Sequence, residues 1–144
     1  MCLITEQKTP FIAKEDIKVY KLMESDLYSY FQYFKYEIGK LFETEIKEST
    51  NKAWNSCCEL DKNYLIKKYK CKFKELKFNT NLACFSEGFH SAKSLDVCKG
   101  ILDEFDDEDD CFFYEATIPK GAEYYRDGVG FIISNKLIIN KEIK

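Results

Sequence analysis

Apolar and polar positions alternate over Ile17-Lys18-Val19-Tyr20-Lys21-Leu22, the period of a half-buried strand with Ile17 and Val19 facing inward. Ahead of it, the segment up to Ala13 contains Pro10 and no helical period. It predicts an extended arm with Leu3, Ile4, Phe11 and Ile12 available for docking. The pattern changes over residues 28–36, where six of nine positions are aromatic. A helix there sets Leu27, Phe31, Phe34 and Ile38 on one side and leaves Tyr28, Tyr33 and Tyr36 elsewhere, each hydroxyl needing a partner. Gly39 ends that unit, and residues 41–46 alternate again as a short strand.

Residues 47–63 are mostly polar around Trp54 and the Cys57-Cys58 pair, with Ser49, Thr50 and Asn51 as turn or helix-start residues. The run YLIKKYKCKFKELKF that follows fits two periods. Leu65, Tyr69, Phe73 and Leu76 form a helical stripe, while Tyr69, Cys71 and Phe73 alternate with lysines as a strand. The strict lysine alternation from Lys68 to Lys74 selects the strand. Glu87-Gly88 is a turn into Phe89-His90. Leu95, Cys98, Ile101, Leu102 and Phe105 then fall on one helical stripe, with Ser91 or Ser94 as N-cap and Asp96 in the first turn. Phe112, Phe113, Tyr114, Ala116 and Ile118 predict a buried strand ended by Pro119 and Gly121. Asp127-Gly128 marks another turn, and residues 131–139 give strand material around Ser134-Asn135. One or two helices between early and late strands, with no internal repeat, predict an α+β fold with a largely antiparallel sheet.

At 144 residues and 17.0 kDa the chain fits a single domain. Its 45% apolar and 33% charged content is that of a folded chain and excludes global disorder. No run of eighteen apolar residues occurs, and the start MCLITEQKTP lacks a charged n-region and an apolar h-region. The expectation is a cytoplasmic protein with no membrane contact. The net charge of -3 means that any nucleic-acid binding has to come from a local patch.

Seven cysteines and one histidine without a C-x-x-C pair disfavour a zinc site, so no metal and no cofactor are expected. The thiols are expected to be reduced and mostly in the core. Arg126 is the sole arginine beside twenty-one lysines, so forked recognition of phosphate or carboxylate rests on it or is absent.

Two charged constellations remain. Between Lys62 and Lys77 seven lysines face one glutamate, with Tyr64, Tyr69, Phe73 and Phe78 among and beside them. Lysines neutralise phosphates and exposed aromatics stack on bases, the form of a single-strand or RNA-contacting surface. Lys67, Lys68, Lys70, Lys72 and Lys74, with Tyr69 and Phe73, are the candidate contact residues. The second is the acidic run ending in Asp106, Asp107, Glu108, Asp109 and Asp110, a candidate site for a basic partner. His90 and Ser91 are neighbours on a strand and point to opposite faces, so they form no catalytic dyad. No catalytic residue is assigned.

The pieces MCLITEQKTPFIAKEDIKVYK, YEIGKLFETEI, SEGFHSAKSLDVCKG and ATIPKGAEYYRDG resemble a family of small uncharacterised bacterial and phage-associated proteins. The resemblance skips much of residues 48–84, which resembles an insertion within the single domain. Lys21, Gly88-Phe89-His90-Ser91 and Ile118-Pro119-Lys120-Gly121 also fall in the order of the ADP-ribosyltransferase layout, more distantly. That resemblance implies a degenerate fold of this kind, since GFIISNKLII lacks the E-x-E pair that stabilises an oxocarbenium-like transition state.

The expected function is therefore that of a non-enzymatic, phage-type accessory protein. It would inhibit or modulate a host protein or protein–RNA machine, such as an RNA-guided nuclease, through a charged surface. An ADP-ribosyltransferase-like enzyme acting on NAD is the alternative, and a structural homo-oligomer built on the tyrosine-rich segment is a second.

Overall fold

The computed structural model describes residues 3–29, 34–49, 59–75, 82–101 and 111–144. In chain order the elements are β1 (Leu3–Thr5), β2 (Phe11–Ile12), β3 (Ile17–Met23), β4 (Leu41–Glu43), β5 (Lys47–Glu48), α1 (Glu59–Tyr69) and β6 (Ala83–Glu87). There follow β7 (Phe89–Ala92), α2 (Leu95–Gly100), β8 (Phe112–Ile118), β9 (Glu123–Arg126), β10 (Phe131–Ser134) and β11 (Lys136–Ile143). The strands form an eight-stranded sheet, order β2-β9-β10-β7-β3-β8-β11-β4, and a three-stranded sheet, order β1-β6-β5. Every paired strand in both is antiparallel, so the α+β, sheet-dominated architecture is as the sequence predicts.

Period-two alternation places the cores. On one face of the large sheet Val19, Met23, Phe89, Ala116, Ile118, Ile132, Leu137 and Ile139 meet Tyr36. On the other face Leu22, Ala92, Phe131 and Ile133 meet Leu3, Ala83 and Phe85 of the small sheet, together with Cys98 and Ile101. Cys98 lies on α2, which rests against β3 and β7. Ser94 caps α2 by accepting the Val97 N–H at 3.3 Å, and Asp96 stands in its first turn. The outer face of the small sheet carries Ile4 and Cys84, and α1 covers it with Leu65.

Three expectations change. The N-terminal segment is no free arm: β1 pairs with β6 and β2 with β9, and Leu3 and Ile4 are buried. Phe11 and Ile12, on the edge strand β2, stay 41% and 54% exposed. Of residues 28–36, those at 30–33, Phe31 and Tyr33 among them, lie outside the described residues, and the rest do not form the predicted helix. The described ones make ladder contacts, Met23 with Ser29 and Tyr28 with Lys35, and the Ser29 N–H donates to the Phe34 carbonyl at 2.8 Å. Tyr36 is the member driven inside, at 1% exposure, within a cluster of Phe34, Phe42 and Phe89 rings, while Ile38 is 54% exposed. A helix would have turned Tyr36 away from the sheet face it fills. The third change, at residues 64–75, concerns the candidate site.

Gly88 is where the chain leaves the small sheet and enters the large one. Its φ is +139°, and a Cβ there would sit 2.6 Å from Ile133 Cγ1 in the core. Gly121 also has a positive φ, +89°, but open space around it. Gly88→Ala is therefore expected to lower stability by about 3 kcal/mol through backbone strain and overpacking together. Gly121→Ala should cost only about 1 kcal/mol. Urea unfolding of both variants checks the contrast, and equal losses would contradict it.

Candidate functional site

The lysine-rich segment folds as a helix and a break, in place of the predicted strand. Lys67 and Lys68 stand in the last turn of α1, where they complement the negative end of the helix dipole. Leu65 reaches Ile4, Leu82 and Cys84, and half-buried Tyr69, Cys71 and Phe73 pack beside them. The helical stripe prevails because it gives the small sheet a lid. In the helix Leu65 joins Tyr69, Cys71 and Phe73 on Ile4 and Cys84. Lys70 leaves the helix in the left-handed region, at φ +53°, so that Cys71 and Phe73 turn back onto the same cluster.

Lys67, Lys68, Lys70, Lys72 and Lys74 are all exposed. Lys68 is paired: its Nζ lies 3.2 Å from Glu6 Oε1, and that hydrogen bond raises the ammonium above its ordinary value. It also stands 5.8 Å from the Tyr64 ring centroid and 5.6 Å from that of Tyr69. No carboxylate pairs with Lys67, Lys70, Lys72 or Lys74 among the described residues. The lysines therefore spread over a helix end and the bend after it, not along one face of a strand. Tyr69 and Phe73 are half-buried, each with one side packed on the cluster beneath α1. Asp106, Asp107, Glu108, Asp109 and Asp110 lie outside the described residues.

Beside α1 is a cleft of about 230 Å³ bounded by β1 and the turn between β9 and β10. Lys68 and Tyr64 stand on one wall and Arg126 and Asp127 on the other. Tyr64 lies against Gly128, where a Cβ would come 2.4 Å from its hydroxyl oxygen. Any residue larger than glycine at position 128 would push this ring out of the wall. A second recess of about 390 Å³ on the other side of Arg126 and Asp127 adds Lys93 and Tyr124.

A buried polar group lies in the core. Lys21 is only 5% exposed; its Nζ donates to the His90 carbonyl at 2.6 Å and stands 5.3 Å from the Tyr36 ring centroid. Burial pushes its pKa down to about 8, partly opposed by Cys98, and pushes the Cys98 thiol up to about 12. Burial also raises the Tyr36 hydroxyl. Lys21 and the Gly88–Ser91 stretch thus come together on neighbouring strands, but the ammonium is sealed against main chain and offers no surface to a dinucleotide. The signal for its burial lay in the alternation itself, which sets residue 21 on the side of Ile17 and Val19. Of the thiols, Cys84 and Cys98 are buried and Cys71 and Cys111 are half-buried. Among the described residues no group of three or more His, Cys, Asp or Glu stands close enough to hold a metal ion. No described helix is long and apolar enough to cross a membrane.

Lys21 predicts a distinct pH dependence. Its folded pKa lies below its unfolded value, so between about pH 8 and 10.5 the unfolded chain holds a proton that the folded chain has lost. Stability from this group rises across that window, while Cys98 and Tyr36, shifted upward, pull the other way at higher pH. Lys21→Met should be more stable than the parent near neutrality, with the difference shrinking by about 3 kcal/mol over the window. Urea titrations at several pH values measure it, and a constant difference would contradict the burial of the ammonium.

In comparisons with protein-family models, with curated proteins and with solved structures, none matches this chain.

Proposed function

We propose that this is a non-enzymatic binding protein of the phage or mobile-element kind, which inhibits or modulates a host nucleoprotein machine through the lysines of α1 and the bend after it. An RNA-guided nuclease is one concrete machine of that class. One observation carries the reading: Lys67, Lys70, Lys72 and Lys74 are exposed within eight residues, and none has a carboxylate partner among the described residues. Unneutralised cations so close together raise the local potential although the whole chain carries -3, and they favour phosphate over an uncharged surface. The acidic stretch Asp106 to Asp110 enters as a second contact, for a basic groove, on the strength of its sequence alone.

The enzyme reading takes second place. A degenerate ADP-ribosyltransferase-like layout would need a cation at Lys21 to grip NAD, and that ammonium is buried against His90. Transfer of label from NAD to a protein or nucleic acid, lost in His90→Ala, would reverse the order. A homo-oligomer would show a solution mass above the 17.0 kDa of the chain.

The triple variant Lys67→Glu/Lys70→Glu/Lys74→Glu is expected to lose at least tenfold in affinity for single-stranded RNA or for a captured nucleoprotein. The slope of log affinity against log salt should fall by about 2, since each neutralised phosphate contributes about 0.7. Its melting temperature should stay close to the parent's, because the three side chains are solvated. Anisotropy titrations over a salt series read both quantities. Unchanged affinity and slope would remove the lysine face from the function.

A further inference from the structure

The sole guanidinium of the chain is set at the meeting point of several recesses. Arg126 and Asp127 line both the recess shared with Lys68 and the one shared with Lys93. A third, of about 510 Å³, continues past Phe11 and Tyr124 to Lys14. Phe11 lines the first and third and Tyr124 the second and third, so the three form one groove around the edge strand β2.

We propose that this groove is a subsite for single-stranded nucleic acid, in which Arg126 takes a phosphate while Phe11 and Tyr124 stack a base. It extends the path of the strand beyond the lysines of α1 and rests on the nucleic-acid reading of that face. The Arg126 guanidinium lies 5.1 Å from the centroid of the Phe11 ring, and that ring stands 5.5 Å from Tyr124 at 49°. Its N–H groups meet no carboxylate among the described residues, leaving the planar fork for a phosphate.

The support beneath the fork is rigid. The Arg126 carbonyl accepts from Thr5 Oγ1 at 2.7 Å, and its N–H donates to Gln7 Oε1 at 3.0 Å. One carboxylate oxygen of Asp127, Oδ1, accepts the N–H groups of Val129, Gly130 and Phe131 at 2.9, 2.8 and 2.9 Å, which fixes the turn. The other, Oδ2, is buried without a hydrogen-bond partner. Of the acids lining the groove, Glu6 is engaged by Lys68 and Asp127 Oδ1 by the N–H groups of its turn, while Glu15 lies in the third recess, which Arg126 does not line.

The test uses a fluorescent oligouridine and its DNA counterpart, titrated against the whole protein over a salt series. Arg126→Gln should lower affinity and reduce the salt slope by about 0.7. Phe11→Leu, which keeps apolar packing on β2, should lower affinity about tenfold and leave the slope unchanged, because stacking carries no charge. Thermal melts establish that both variants fold, and the tighter-binding oligonucleotide identifies the sugar. Parent-like affinity and slope in both variants, with binding still abolished by charge reversal on α1, would overturn the groove and leave the lysine face standing. If the parent binds neither oligonucleotide, both readings fall.

Discussion

Two sheets with apolar residues on both faces need more cover than the two described helices give, and that demand shapes the molecule. β3 stands between β7 and β8 with Val19 and Met23 on one side and Leu22 on the other, all buried. The large sheet covers one face with Tyr36 and its aromatic neighbours and shares the other with the small sheet and α2. The small sheet, only three strands wide, is left with Ile4 and Cys84 facing outward, and α1 is recruited to close it. Burial of such side chains contributes roughly 2 kcal/mol each, more than the weak propensities that distinguish strand from helix in a lysine-rich segment.

The same demand accounts for the buried ammonium. Position 21 lies on an inward face, and the lysine there is accommodated by the His90 carbonyl and the face of the Tyr36 ring. One charge-assisted hydrogen bond and a cation–π contact offset part of the desolvation. The remainder appears as the downward displacement of its pKa. That His90 carbonyl belongs to β7, just beyond the Tyr20–Ala92 pairing that joins β3 to β7. Lys21 thus tethers the two strands where their ladder stops.

Charge is distributed unevenly on the outside. The helix that covers the small sheet turns its lysines to solvent, and the hairpin of β9 and β10 brings the single arginine to the opposite wall of the adjoining cleft. Elements far apart in the chain, at residues 6, 68 and 126, thereby face one another. The surface proposed to follow a phosphate chain is thus assembled by packing needs that have nothing to do with phosphate.

Much of this was legible in the residues. Period-two runs located β3, β8 and the β10–β11 hairpin, the Ser94 cap and the Cys98–Ile101 stripe located α2, and the Asp127-Gly128 and Pro119–Gly121 breaks located turns. These signals are local: each depends on side chains within a few positions, and the alternation even carried the unread message that Lys21 faces inward. Residues 64–75 and Tyr36 were different. Two periods fitted the first, and a helix fitted the second, until neighbours distant in sequence supplied the deciding contacts: Ile4 and Cys84 for Leu65, and Phe42 and Phe89 for Tyr36. The groove at Arg126 was likewise absent from any local pattern. Local chemistry determines which faces are apolar, but only assembly determines what lies against them.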